Sequence, residues 1–293
     1  MKLIALGDNC IDYYHNTGET YPGGNAINVA VHAARQNVET AYLGAFADDD
    51  MAEIIKKALL ENCVSYSNCP CIPGTTTKIC SYDVVNGERS FVGVVEGEKW
   101  AGPIRLDRIL LDYLTTADII VSSCNAKIPE QIEKLAKMPG IFVFDFGEKL
   151  KYRVPEYYDQ VCHKMDLALF SIESIGKETF RDFCAPLHER GVIHVLATMG
   201  SDGQMISNGR EISKMVIHKV KACDTMGAGD SFLAGFVCEL ARQGWQKGQS
   251  MSIERLEKAM LCGQQVSALN CMNRGGFGSK ENDPSINEFS RNG

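Results

Sequence analysis

The order of apolar segments from residue 104 onward leaves this 293-residue chain few ways to fold. Short apolar runs at 119–122, 141–145, 167–171 and 192–198 each follow a segment of helical spacing, at 106–114, 130–137, 155–163 and 177–190. Short apolar strands between amphipathic helices imply a parallel sheet covered on both faces. The amino-terminal part starts in the same way. A strand is expected at 2–6, a second apolar piece at 10–14, a turn at 21–24 and a helix at 25–36 with Ile27, Val31 and Ala34 on one face. A strand at 39–46 and a helix at 49–62 follow. Residues 63–98 break the alternation: a strand at 75–85, an Asn86-Gly87 hairpin turn and a return strand at 89–95. The expectation is one α/β domain over 1–293, a doubly wound and mainly parallel sheet with helices on both faces. A small β-lid would come from roughly 10–22 and 73–98. Strands at 205–206 and 215–220, helices at 231–243 and 253–270 and a polar tail from about residue 280 complete the reading.

Composition excludes several classes of function. The net charge of −7 argues against nucleic acid or an anionic membrane as the main partner. It leaves room for a local phosphate site, which backbone dipoles build without net positive charge. No apolar run reaches membrane-spanning length, and the opening strand leads into a polar turn rather than a secretory signal. The twelve cysteines are scattered, with Cys80, Cys124, Cys223, Cys238 and Cys262 inside apolar segments. Free, mostly buried thiols in a reducing cytoplasm are expected. Cys69-Pro70-Cys71 has no further ligands at metal spacing and reads as structural.

The chemistry concentrates in Asp224-Thr225-Met226-Gly227-Ala228-Gly229-Asp230, which opens an apolar helix. Small residues let bare backbone approach a ligand, and the unpaired N–H groups of a first helical turn attract anions. An Asp in the same turn can accept a proton from a substrate hydroxyl. A phosphate cradle beside a base is what phosphoryl transfer to an alcohol requires. Three further motifs fall where strands of a parallel sheet deliver ligand-binding loops: Gly7-Asp8-Asn9 with Asp12, Asp145-Phe146-Gly147, and Thr198-Met199-Gly200-Ser201-Asp202-Gly203. Gly23-Gly24-Asn25-Ala26-Ile27-Asn28 opens a helix.

Taken together, these motifs resemble the ribokinase-like (PfkB) sugar kinases. Gly23-Gly24-Asn25-Ala26-Ile27-Asn28-Val29-Ala30 is similar to the family's amino-terminal motif, Asp224 to Phe236 to its carboxy-terminal motif, and Thr198-x-Gly200-x-x-Gly203 to its nucleotide turn. The resemblance implies Asp230 as catalytic base and Gly227, Ala228 and Gly229 as an anion hole. It implies Asp12, Gly24, Asn25 and Asn28 at the sugar, with Asp230. It implies Thr198, Gly200 and Gly203 at ATP, with Gly227 and Gly229, and magnesium on the nucleotide. A monovalent cation, potassium, would be held by Asp224, the Met226 carbonyl, Asn270, Gly275 and Ser279. Relatives carry Asn-x-x-Glu where this chain has Ser171-Ile172-Glu173-Ser174, which leaves Glu173 as the residue toward magnesium.

Within the family the chain is most similar to the fructoselysine 6-kinases, through Gly7 to Asp12, Gly44 to Asp50, Phe144 to Lys149 and the motif at 224–232. That similarity implies transfer from ATP to the 6-hydroxyl of a fructosamine. The alternative is a ribokinase-like kinase acting on a ketohexose, ribose or a nucleoside. Asp83, Glu88, Arg89 and Glu96 stand on the lid strands, where charge is ordinarily a solvated face. A nicotinamide fingerprint is missing after the first strand, and no P-loop occurs. A non-catalytic sugar sensor is disfavoured because Asp230 and the anion-hole glycines are intact. An exposed β-lid would pair two copies into a homodimer.

Overall fold

The computed structural model describes residues 1–85, 88–97, 99–217 and 220–278. In chain order the elements are β1 (Lys2–Leu6), β2 (Cys10–Tyr14), β3 (Glu19–Gly23), α1 (Asn25–Ala34), β4 (Glu39–Leu43), β5 (Phe46–Ala47), α2 (Asp50–Glu61), β6 (Val64–Ser65) and β7 (Cys71–Ile72). Then come β8 (Ile79–Val85), β9 (Glu88–Val95), α3 (Arg108–Leu114), β10 (Ile119–Ser123), α4 (Ile132–Ala136), β11 (Ile141–Asp145), α5 (Pro155–Val161), β12 (Leu167–Ser171) and α6 (Lys177–Glu189). The chain continues with β13 (His194–Thr198), β14 (Gln204–Ser207), β15 (Ile212–Met215), α7 (Ala228–Arg242) and α8 (Ile253–Asn270).

The main sheet has the order β15-β14-β13-β12-β11-β10-β1-β4-β6. Pairing is parallel from β6 through β13, and β14 and β15 add to the edge antiparallel. Successive strand residues feed opposite faces. Leu3, Ala5, Ile119, Val121, Val143 and Leu169 pack with α1, α2, α7 and α8. Ile4, Leu6, Ile120, Phe142, Phe144 and Phe170 pack with α3, α4, α5 and α6. Each of these buried side chains except Ala5 contributes roughly 1.5–3 kcal/mol, and this two-sided burial is why the strands read as continuous apolar runs.

A second, four-stranded sheet has the order β3-β2-β8-β9, with β2 and β8 parallel and the outer pairs antiparallel. Residues 86–87, the expected hairpin turn, lie outside the described residues, but the strands on either side are paired antiparallel. Three expectations about elements change. Residues 21–23 are strand rather than turn: Gly23 sits opposite Cys10, and Pro22 is tolerated because β3 is an edge. The strand expected at 75–85 begins only at Ile79, because residues 74–77 are held by side chains instead. Asp48 accepts from the Gly74 and Thr75 N–H groups, and Asp49 from the Thr77 N–H and hydroxyl. Asp49 also caps α2 through the Ala52 N–H, so the acidic run at 48–50 is structural. Of the strand expected at 215–220, Met215 ends β15 (Ile212–Met215), where β14 offers its ladder, residues 216–217 are not strand, and residues 218–219 lie outside the described residues.

Candidate active site

The loops after β1, β10, β11, β12 and β13 and the first turn of α7 meet at one end of the main sheet. Strand order reverses there, between β1 and β10, the place where open α/β sheets bind ligands. Two cavities lie side by side. The smaller, about 360 Å³, is lined by Asp8, Asp12, Gly24, Asn25, Asn28, Lys78, Asp145 and Asp230, and by Phe91, Val94 and Glu96 of the four-stranded sheet. The larger, about 1000 Å³, is lined by Glu173, Thr198, Gly200, Thr225, Ala228, Phe232 and Ser267. Gly229, Glu148 and Ser171 line both.

Backbone conformation builds the turn between them. Gly227 has φ +69°, and a Cβ there would lie 2.4 Å from the Gly276 carbonyl oxygen. That oxygen is fixed in turn by His32 Nε2 at 2.9 Å. Burial pushes His32 down to about 4, so the ring is neutral and Nε2 carries the donated proton. Ala228, Gly229 and Asp230 then form the first turn of α7, whose N–H groups have no partner within the helix. A Cβ added at Gly229 meets nothing within 4 Å.

Asp230 is 6% exposed. Its two oxygens accept from Asn25 Nδ2 at 2.9 Å and Asn28 Nδ2 at 2.8 Å. The two donors stand three residues apart at the start of α1, hence on one face of that helix. Asn25 Oδ1 accepts in turn from Asn125 Nδ2, and this second link fixes the Asn25 amide orientation. Asp12, 2% exposed on β2, enters the same cavity. A Cβ at Gly23 would fall 2.0 Å from Asp12 Oδ2, so the cross-strand glycine makes room for this carboxylate. Cys10 and Cys80 flank Asp12, with ligand atoms within 4.8 Å of one another. The Cys80 hydrogen bond and burial hold the Cys10 thiol well above its usual range, which keeps it protonated and neutral.

Asp145 presents a third carboxylate. Phe146, fully buried and stacked on Phe170 at 4.4 Å, anchors the loop behind it, and the Gly147 N–H donates to Asp145 Oδ1 at 2.7 Å. Burial, with the charge of Asp230 second, pushes Asp145 up to about 7. The unfolded chain releases this proton near 3.8. The folded chain therefore binds more protons between about pH 4 and pH 7, and stability falls as pH rises through that window. Asp145→Asn removes the effect and keeps an acceptor for Gly147. Its melting temperature should match the wild type at pH 4 and exceed it by about 3 °C or more at pH 8. A difference that calorimetry finds independent of pH would refute this.

The residues implied for nucleotide and cations divide. Thr198 and Gly200 line the larger cavity. Gly203 does not line it: at φ +95° it packs on the Met215 carbonyl, which a Cβ would approach to 2.0 Å. Glu173 is exposed at the wall of that cavity and Glu148 lines both, so hard oxygen donors face the space where phosphates would lie. Asp224 is fully buried and engaged by the chain itself. It accepts from the Tyr14 hydroxyl at 2.5 Å and from the N–H groups of Met226 and Gly275, both at 2.9 Å. The Met226 carbonyl accepts from Asn270 Nδ2 at 2.7 Å. Ser279 lies outside the described residues. The oxygens of Asp224 and Met226 each accept from donors of the chain, whereas Asn270 Oδ1 is buried without a hydrogen-bond partner, an acceptor of the kind a monovalent cation would use.

Sequence reasoning missed the Asp8–Lys78 pair, Asn125 and Lys151 at the rim, where Glu148 and Lys149 of the Phe144 to Lys149 run also stand. Asp8 was visible in the turn after β1, whereas nothing around Lys78 marks it. Of the lid charges, Glu96 faces the cavity and pairs with Lys127. The side chains of Glu88 and Arg89 lie outside the described residues.

This fold and this turn define a kinase. Residues 1–282 match the pfkB family of carbohydrate kinases, and the chain belongs to that family. It is a phosphotransferase with an alcohol acceptor. Over 238 residues it is 29% identical to fructosamine kinase FrlD of Bacillus subtilis (strain 168), covering 81% of this chain and 82% of the relative. Over 252 residues it is 29% identical to fructoselysine 6-kinase of Escherichia coli (strain K12), covering 86% and 92%. The fold is similar to Arabidopsis thaliana ribokinase complexed with ribose and ATP, with a TM-score of 0.77, 19% identity and coverage of 99% and 98%. Among the described residues no helix is long and apolar enough to cross a membrane.

Proposed function

We propose that the chain is a cytoplasmic, ATP-dependent fructosamine kinase that phosphorylates the 6-hydroxyl. The observation that carries the reading is the placement of Asp230. It stands on an anion-attracting helix terminus, in a polar cavity of sugar size that shares Gly229 with a larger cavity. The two 29% identical relatives named for fructosamines support the substrate class. So do the carboxylates of the wall, Asp8, Asp12, Asp145, Glu96 and Glu148, which suit a substrate carrying an ammonium, while Lys78 and Lys127, paired with Asp8 and Glu96, and Lys149 and Lys151 at the rim suit one that also carries an anion.

The sugar lies against Asp12, Gly24 and Asn28, within reach of Asn25. Asn25 and Asn28 hold both oxygens of Asp230, which fixes the carboxylate toward the bound hydroxyl. Asp230 takes the hydroxyl proton as the γ-phosphoryl moves in line toward that oxygen. The N–H groups of Gly227 and Gly229 meet the charge developing on the phosphoryl oxygens, and that of Ala228, which donates to the Thr225 carbonyl at 3.2 Å, would join them only by leaving that bond. ATP occupies the larger cavity, where Thr198 and Gly200 line the wall. Glu173 and Glu148 would hold magnesium through its water shell, and the ion would offset phosphate charge. The four-stranded sheet is the lid, which excludes water from the transfer.

The decisive experiment measures ATP consumption with fructoselysine, other fructosamines, fructose, ribose and adenosine side by side. The expected result is a kcat/KM for a fructosamine at least about tenfold above the rest. A preference for a plain sugar or nucleoside would overturn the substrate and leave the kinase.

The lid also supports a homodimer. Phe91, Val92, Val94 and Val95 are each about half exposed on its edge strand β9, and an exposed apolar edge invites pairing. Light scattering at micromolar concentration should give twice the chain mass, and a monomer there refutes the pairing.

A further inference from the structure

One charged pair in the smaller cavity has no task in the proton transfer or in holding sugar hydroxyls. Asp8 sits in the loop after β1, and Lys78 directly precedes β8. Their side chains are 8% and 7% exposed, and Lys78 Nζ is paired with Asp8 Oδ2. Removing two charges from water costs several kcal/mol per ion, and attraction offsets this only when the remaining hydrogen-bonding capacity is also met. Here it is not, because Asp8 Oδ1 is buried without a hydrogen-bond partner. A lysine ammonium carries three donors, and Asp8 takes one of them. For packing alone, an apolar pair of similar volume serves as well or better. A plain sugar brings only hydroxyls to this wall, with no charge to match either member.

We propose that Asp8 and Lys78 together receive a zwitterion. The secondary ammonium on C1 of the ketose pairs with the Asp8 carboxylate, which turns to present its unsatisfied oxygen, and a carboxylate one carbon further lies on Lys78. The substrate class is then the α-linked fructosyl amino acids. The inference rests on the fructosamine reading above and adds which fructosamines the site takes.

The spacing argument is chemical. In an α-linked adduct one carbon separates the ammonium from the carboxylate, so its two charges are about as close as those of an ion pair. Each then meets its opposite on the wall while the Asp8–Lys78 contact stays closed. In an ε-linked lysine adduct five carbons intervene, and its carboxylate reaches Lys78 only by folding that flexible chain back on itself, at a cost in conformational entropy that the α-adduct does not bear. C1 is also the end of the ketose furthest along the chain from the 6-hydroxyl that Asp230 would serve. The binding end and the reacting end therefore fall on different elements, the β1 loop with β8 on one side and α7 on the other.

The test compares kcat/KM for fructosylglycine, fructosylvaline, ε-fructoselysine, fructosylpropylamine and fructose. The α-adducts should exceed both ε-fructoselysine and the propylamine adduct by about tenfold or more. Lys78→Gln should collapse the ratio of α-adduct to propylamine adduct by about tenfold, and Asp8→Asn the ratio of propylamine adduct to fructose. Each ratio is taken within one preparation, so partial loss of folded protein cancels. The charge-neutral double variant Asp8→Asn/Lys78→Gln carries the same comparison where a single one fails to fold. A preference for ε-fructoselysine, whose far end would extend toward Lys149 and Glu148, would overturn the assignment. So would variants that depress all five substrates alike. A wild-type protein that accepts none of the fructosamines overturns the fructosamine reading itself, an outcome distinct from acceptance without charge discrimination.

Discussion

Asp230→Asn should lower kcat by about a thousandfold, in the range that loss of a positioned general base produces. The amide cannot take the hydroxyl proton at any accessible pH, whereas the turn that carries it is held by Gly227, His32 and Gly276 and stays in place. The variant has one structural cost. Asn25 and Asn28 each donate to one carboxylate oxygen, so an amide at 230 turns one NH2 group against another. That leaves a donor unsatisfied, a penalty of about 1–3 kcal/mol, visible as a drop of several degrees in melting temperature. KM for the sugar should move far less than kcat, because Asp12 and Gly24 remain. A folded Asp230→Asn protein with wild-type turnover would eliminate Asp230 as the base.

The second large effect separates two neighbouring glycines that look equivalent in sequence. Gly227→Ala should destabilise the protein. Its left-handed backbone costs a residue with a Cβ roughly 1–2 kcal/mol, and the methyl collides with the Gly276 backbone. Gly229→Ala should leave the melting temperature unchanged or slightly raised, since the site is helical, open and better served by alanine. Its methyl projects into the space shared by both cavities, where the phosphoryl group must pass. A displacement of about 1 Å there costs on the order of a hundredfold in kcat. Thermal melts and steady-state kinetics on the two variants should give opposite patterns. Loss of stability at 229 with full activity would mean that the turn is only a helix start.

The sheet was legible because burial on both faces leaves runs such as 141–145 and 167–171 without polar interruptions. β11 and β12 fall at those limits. The edges were less legible. β3 hides a proline and a glycine that only its edge position and the Asp12 carboxylate explain. The start of β8 is decided by Asp48 and Asp49, which lie about 28 residues earlier in the chain. At the site, Asp230 was readable because its neighbours encode a backbone conformation in glycine. Asp8 and Lys78 were not, because an ion pair between residues 70 positions apart leaves no local pattern. Gly203 has a further reason to be glycine that its motif does not spell out: at φ +95° it lies so close to the Met215 carbonyl that no side chain fits.

Asp224 has a consequence beyond its own turn. It ties Tyr14 of β2 to Met226 before α7 and to Gly275 in the segment after α8. Burial and the carboxylate hold the Tyr14 phenol protonated, so the tie persists across the working pH range. The interior strand β2 of the four-stranded sheet is thereby mortised to the turn that carries Asp230, while among the described residues β9 at the outer edge bears no such joint. Substitutions can accumulate on the outer ribbon without disturbing the phosphoryl-transfer apparatus. A lineage with this architecture is free to change what it recognises while inheriting how it reacts.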